Sequence, residues 1–184
     1  MQTLMVTARK IRIIGGYWRS RLIHFPNRTD LRPTANRIRE TLFNWLGQDL
    51  TGLNCLDLFA GSGVLGFEAA SRGARSVVMI DNDSVTLRAL HENKEKLQAT
   101  QISVLKMDAI AFLQANAQKF NLIFLDPPYR LGLLPEILEK IPPHLEPDGK
   151  IYVESNNHWI PGDPWVVRRN GKAGEVFYQL LEKN

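Results

Sequence analysis

This 184-residue chain holds one cysteine, four histidines and no long apolar run. A single Cys55 excludes an internal disulfide and a cysteine-based zinc cluster, and its setting in Asn54-Cys55-Leu56 suits an inert thiol inside a strand. His24, His91, His144 and His158 are scattered without metal-ligand spacing, so no metal site is expected. The apolar stretches are too short and too often interrupted to span a bilayer. No charged-apolar-small leader opens the chain, which therefore reads as cytoplasmic. Internal repeats and low-complexity tracts are absent as well. What is there is ordinary for a globular protein: 44% hydrophobic and 23% charged residues, in a length that fits one domain, or one with a small appendage. A monomer is expected.

The net charge of +4 is unevenly placed. Residues 1–40 carry nine Lys/Arg against Asp30 and Glu40, whereas the remainder carries fourteen against seventeen Asp/Glu. Residues 1–34 thus read as a basic arm, with strands over Lys10–Ile14 and Arg21–Phe25 around Gly15-Gly16-Tyr17-Trp18. Arg9, Lys10, Arg12, Arg19 and Arg21, interleaved with Tyr17 and Trp18, suit phosphates and unpaired bases. The alternative is a solvated basic hairpin with Trp18 tucked into the domain. Arg168, Arg169 and Lys172 either extend that surface or form a charged hairpin rim.

From Thr34 a helical period sets in, with Ile38, Leu42, Trp45 and Leu46 on one face and Gly47 as a stop. Residues 35–184 then alternate. Strands are expected at Cys55–Phe59, Ser76–Ile80, Ile102–Lys106, Leu122–Leu125 and Ile151–Glu154, with helices near 64–72, 84–97, 109–117 and 133–141. The pattern predicts an α/β fold with a mostly parallel sheet covered on both faces. Trp165–Arg169 and Glu175–Leu181, joined through Asn170-Gly171 and Gly174, predict an antiparallel hairpin closing that sheet.

Two strings would then share the carboxyl edge, where open α/β sheets bind ligands. The first is Asp57-Leu58-Phe59-Ala60-Gly61-Ser62-Gly63. Gly61, Gly63 and Gly66 match a dinucleotide fingerprint, with Asp81 twenty residues past Gly61. A carboxylate at Asp57, however, would repel an approaching pyrophosphate. It would attract the ammonium group of S-adenosylmethionine, and this cofactor is the expectation. Gly61 and Gly63 let backbone approach the ligand. Asp81 would accept from the ribose hydroxyls, and Asp108 from the adenine amine with Ala109 nearby; Phe59 and Asn82 complete the cofactor set. Asp81 could instead be a strand-end turn residue, and Asp108 an N-cap for the helix starting at Ala109. Asp83 or Ser84 suits a cap on the helix before it.

The second string is Asp126-Pro127-Pro128-Tyr129. An exocyclic base amine is a poor nucleophile because its lone pair is delocalised into the ring. Gripping both N–H groups, one by Asp126 and one by the Pro127 carbonyl, lets the nitrogen pyramidalise. Asp126 can then stabilise the developing charge and receive the proton, while Tyr129 offers a stacking face. Asp126, Pro127 and Tyr129 are therefore the catalytic candidates.

These strings, with Arg12-Ile13-Ile14-Gly15-Gly16, Arg32-Pro33-Thr34, Arg39-Glu40-Thr41-Leu42-Phe43-Asn44-Trp45-Leu46 and Ala173-Gly174-Glu175-Val176-Phe177-Tyr178, closely resemble the RsmD-type family of bacterial 16S ribosomal RNA methyltransferases over nearly the whole length. The resemblance implies a Rossmann-like class I methyltransferase with a seven-stranded sheet and a reversed last strand. It also implies methylation of a guanine N2 in 16S RNA of an assembling small subunit, and a role for Arg32, Pro33 and Thr34 in folding over cofactor or substrate. Other readings left open are an amino methyltransferase acting on DNA adenine or cytosine or on protein glutamine, and a non-catalytic assembly factor that binds the same cofactor.

Overall fold

The computed structural model describes residues 8–184; residues 1–7 of the expected basic arm lie outside the described residues. Strands β1 (Ala8–Arg12) and β2 (Leu22–Pro26) pair antiparallel. After them come α1 (Asn36–Leu46), β3 (Asn54–Asp57), α2 (Val64–Ser71), β4 (Ser76–Asp81), α3 (Ser84–Leu97), β5 (Ile102–Lys106), α4 (Ala109–Ala115) and β6 (Phe120–Leu125). The chain closes with α5 (Leu134–Lys140), β7 (Leu145–Ser155), β8 (Trp165–Ala173) and β9 (Val176–Lys183). Strands β3 to β9 form one sheet in the order β5-β4-β3-β6-β7-β9-β8, parallel except for β9, which runs against both neighbours. This is the Rossmann-like sheet with a reversed last strand that the alternation and the resemblance led us to expect.

Two helix ends fall where the sequence supplies the chemistry. Gly47 ends α1 in the left-handed conformation, and Asp83 caps α3 by accepting the Thr86 N–H at 2.8 Å. Three strand expectations need correction, two of them in the large sheet. Asn170 and Gly171 lie within β8, not in its turn; the turn is Gly174-Glu175, flanked by the pair Ala173–Val176. Gly171 is small because the Tyr178 ring lies over it: a Cβ there would sit 2.4 Å from Tyr178 Cζ. β7 begins six residues earlier than its apolar run, because Phe120 pairs with Leu145 before an irregularity admits Pro147-Asp148-Gly149.

The sheet buries a layer on each face. One holds Phe43 of α1, Phe67 of α2, Leu90 of α3, and Met79, Phe124 and Tyr152 of the sheet, together with Ile13, Trp18 and Ile23 of the hairpin. The other holds Phe112 of α4 and Ile137 of α5 against Leu56, Ile123 and Val153. The hairpin is fastened by a buried ion triad. Glu68 of α2 pairs with Arg39 at 2.7 Å and Arg72 at 3.3 Å, and it accepts the Ile14 N–H at 2.6 Å. Arg39 also donates to the Arg12 and Thr34 carbonyls, so one guanidinium ties the end of β1 and the segment before α1 to α1 and α2. β1 consequently stops at Arg12 and not Ile14, whose N–H is taken by Glu68.

Candidate active site

Strand order reverses on the two sides of β3, so the crevice between the loops after β3 and β6 is the topological switch point. Parallel register makes the convergence tight. Asp57 lies opposite Met79 and Phe124, and Leu125 lies opposite Val153. Side chains alternate along a strand, so Asp57, Asp81, Asp126 and Glu154 all project to the face that carries Phe124 and Tyr152. Four neighbouring strands thus carry a carboxylate at their last residue or one residue from it. Glu154 went unassigned in the sequence, although an acid at the end of an apolar strand, like the other three, was the signal that could have found it.

The glycine turn is built into this acid wall. Gly63 has φ +77°, and a Cβ on it would lie 2.4 Å from Leu90 Cδ2, so only glycine fits. Asp57, 3% exposed, accepts the Gly66 N–H at 3.1 Å and thereby holds the first turn of α2. Asp81 accepts from the Gly61 N–H at 3.0 Å and the Asp83 N–H at 2.9 Å, which fixes the loop against the end of β4. Asn82 is exposed beside it, and Phe59 packs half-buried against the second core layer. Asp108 does cap α4: its Oδ1 accepts the Ile110 and Ala111 N–H groups at 2.9 and 3.0 Å. Ala109 is buried behind it.

Across this edge runs the segment 27–34. Arg28 pairs with Asp83 at 2.9 Å, Leu31 sits against Gly61, and the Thr34 hydroxyl donates to Glu154 at 2.6 Å. Arg32 is exposed on the same segment. The strap therefore reaches from the end of β4 to the end of β7. Beyond β6, Pro127 is buried and Tyr129 is exposed enough (38%) to offer its ring at the mouth of the crevice.

Electrostatics define what this crevice wants. Burial pushes the Asp57 carboxyl up to about 7, against the pull of the Gly66 N–H, and the charges of Asp81 and Glu154 push the same way. Burial also holds Asp126 well above the usual carboxylate range, helped by Glu154 and Asp57. Among the described residues, no Lys or Arg forms an ion pair with Asp57, Asp81, Asp126 or Glu154. Buried and half-buried carboxylates without a cation call for a cationic ligand.

Comparison with known proteins fits this chemistry. The family model described as Conserved hypothetical protein 95 matches residues 11–182. Ribosomal RNA small subunit methyltransferase D of Escherichia coli is 41% identical over 179 residues, covering 95% of this chain and 90% of that one. Its Haemophilus influenzae counterpart of the same name is 36% identical, covering 94% of each. The solved structure called "Putative methyltransferase yhhF from Escherichia coli" superposes with a TM-score of 0.86 at 40% identity, covering 95% of this chain and 98% of that one. The chain belongs to the RsmD-type methyltransferase family.

Membership of the RsmD-type family argues against the dinucleotide reading of Gly61, Gly63 and Gly66, as does the Asp57 carboxylate at the start of that turn. The candidate RNA-contacting residues, by contrast, are not brought together. Trp18 is 4% exposed in the core layer beside α2, its backbone N–H bonded to Ser71 at 2.8 Å, so it has no face free for a base. Tyr17 is 89% exposed, but it stands with Arg19 and Arg21 at the C-terminal end of α2, the sheet edge opposite the crevice. Arg9, Lys10 and Arg12 are exposed along β1, with Arg9 toward the catalytic edge because its partner Phe25 leads into the strap. Arg168, Arg169 and Lys172 lie on β8, the margin away from the α3 and β5 side where the hairpin packs.

The acid wall has a measurable consequence without any ligand. Asp57 has an ordinary value of 3.8 and a folded value of about 7, so the folded chain retains a proton that the unfolded chain releases. Stability therefore falls as pH rises through that window. Thermal melting between about pH 4 and pH 7, the interval between the two values, is expected to show a midpoint that falls as pH rises and falls less steeply in Asp57→Asn. An equally steep fall in that variant would contradict the assignment.

Proposed function

We propose that the protein transfers a methyl group from S-adenosylmethionine to the exocyclic N2 of a guanine in 16S ribosomal RNA. Its partner would be the small subunit or an assembly intermediate, met in the cytoplasm by a monomer. The observation that carries the reading is the convergence of the glycine turn, an unpaired acid wall and Asp126-Pro127-Pro128-Tyr129 on one sheet edge. The names of the relatives, which specify small-subunit ribosomal RNA, support the substrate class.

When bound, the donor supplies a methyl carbon on a sulfonium, whose C–S electron pair returns to sulfur. The protein's own residues do the rest. Asp57 would hold the ammonium group, Asp81 the ribose, and Asp108, through the oxygen not used for capping, the adenine amine, with Ala109, Phe59 and Asn82 around it. Arg32 and Thr34 on the strap would cover the site. Asp126 and the Pro127 carbonyl would grip the two N–H groups of the guanine amine, and Tyr129 would stack on the ring. Extruding the base into such a pocket costs roughly a few kcal/mol, and less from a loop than from a helix. Arg9, Lys10 and Arg12 supply phosphate contacts on the approach.

The test is label transfer from S-adenosylmethionine to small-subunit particles isolated without this modification. Incorporation into RNA of these particles is expected. Label that enters only DNA or protein would refute the substrate, and binding of the donor without any transfer would leave an assembly factor.

A further inference from the structure

Glu154 is a buried carboxylate that the reaction as described does not use. It is 3% exposed, and its Oε1 already accepts the Thr34 hydroxyl at 2.6 Å and the Tyr152 hydroxyl at 2.9 Å. Oε2 has no hydrogen-bond partner among the described residues, yet no side-chain polar atom there is both fully buried and unpartnered. That oxygen therefore keeps access to solvent. Register places the residue beside the catalytic candidate: Leu125 pairs with Val153, so Asp126, the first residue past β6, and Glu154 of β7 both follow that pair, and alternation turns them to the same face.

We propose that Asp126 and Glu154 work as one acid pair, in which Asp126 takes the proton released by the methylated amine and Glu154 is the positioning residue that makes it a proton acceptor. The proposal deepens the methyl-transfer reading and rests on it. In the reaction the acceptor nitrogen forms one bond to carbon and gives up one N–H proton, which goes to a carboxylate oxygen of Asp126. An isolated, solvated aspartate is a weak base. Two carboxylates at neighbouring strand ends cannot both shed their charge into water, so they hold one proton between them more firmly than either would alone.

The hydrogen bonds decide which member does which job. Burial raises the Glu154 carboxyl, while its two donors pull it back toward the ionised form; among the described residues Asp126 accepts from no such donor and is held well above the usual carboxylate range. The proton therefore belongs on Asp126. Thr34 lies on the strap, so the strap orients Glu154 and favours its charged form. Around the pair stand Asp57 on β3 with Asp81 beyond it on β4, Tyr129 after β6 and Tyr152 on β7. Both tyrosines are pushed up by burial and by the acids, stay neutral phenols, and so supply no competing charge.

Glu154→Gln tests this, since an amide keeps an oxygen for Thr34 and Tyr152 while removing the charge. In carboxyl-¹³C NMR of the cofactor-free protein, Asp126 is expected to titrate at least about one pH unit lower in the variant. The acid limb of the methyl-transfer profile is expected to move the same way, with kcat lowered by about tenfold or more and KM for the donor changed less. Thr34→Val, which keeps the charge and loosens its orientation, should lower kcat with a smaller displacement of the limb. An unmoved Asp126 titration in a folded Glu154→Gln protein would overturn the proposal, as would full kcat with an unmoved profile. Should the wild type transfer no methyl group to RNA, the NMR titration still decides the pairing, and only the substrate reading fails.

Discussion

Asp126→Ala is expected to lower methyl transfer by about a thousandfold, within the range of roughly 10²–10⁴ that a positioned proton acceptor contributes. Binding of S-adenosylmethionine should change by less than about tenfold, because the donor's proposed contacts fall on Asp57, Asp81 and Asp108 and not on Asp126. The same variant is expected to fold at least as well as wild type. Asp126 is an acid held among acids, raised by burial and by Glu154 and Asp57, so deleting it removes repulsion from the cofactor-free protein. Lost activity with a raised or unchanged melting midpoint would identify a residue kept for chemistry at some expense to the fold. Loss of binding, activity and stability together would instead show a structural residue. Single-turnover methylation, donor titration and thermal melting on one preparation separate these outcomes.

Glu68→Ala should have the largest effect on stability. Glu68 and Arg39 are fully buried and Arg72 nearly so, and removing the shared carboxylate strands two guanidinium groups with the Ile14 N–H. Breaking a buried pair from one side costs about 3–5 kcal/mol. For a chain of this size that lowers the melting midpoint by roughly 10 °C. Loss should begin locally: the hairpin is held to α1 and α2 through Glu68, Arg39 and Ser71, so limited proteolysis is expected to cut within residues 8–34 first. Arg39→Met, which removes a charge while filling its volume, should cost less than Arg39→Ala. A Glu68→Ala protein that melts within about 1 °C of wild type would show that the triad contributes little net stability.

How much was legible depended on whether the signal was local. Alternation of apolar strand and periodic helix gave the parallel sheet, and Gly47, Asp83 and Asp108 marked helix ends because capping is a near-neighbour interaction. The glycine turn and Asp126-Pro127-Pro128-Tyr129 were readable because each packs its chemistry into a few consecutive residues. Glu154 was not, since its meaning comes from strand register and from Thr34, 120 positions away. Trp18 was misplaced for the same reason. A tryptophan between arginines looks like a base-stacking residue until Ser71 and the core beside α2 claim it. The β8–β9 turn was shifted because Asn170-Gly171 is a strong turn signal locally, while the real demand on Gly171 is room for the ring of Tyr178.

The claim on which the rest depends is that the crevice between β3 and β6 delivers a methyl carbon to an exocyclic amine held by Asp126. Mass-spectrometric nucleoside mapping of 16S RNA, after undermodified particles are incubated with the purified protein and S-adenosylmethionine, tests it most directly. We predict N2-methylguanosine at a single site with wild-type protein and none with Asp126→Ala. Methyl groups on a ring nitrogen, a ribose or another base, or undiminished N2-methylguanosine with Asp126→Ala, would contradict it.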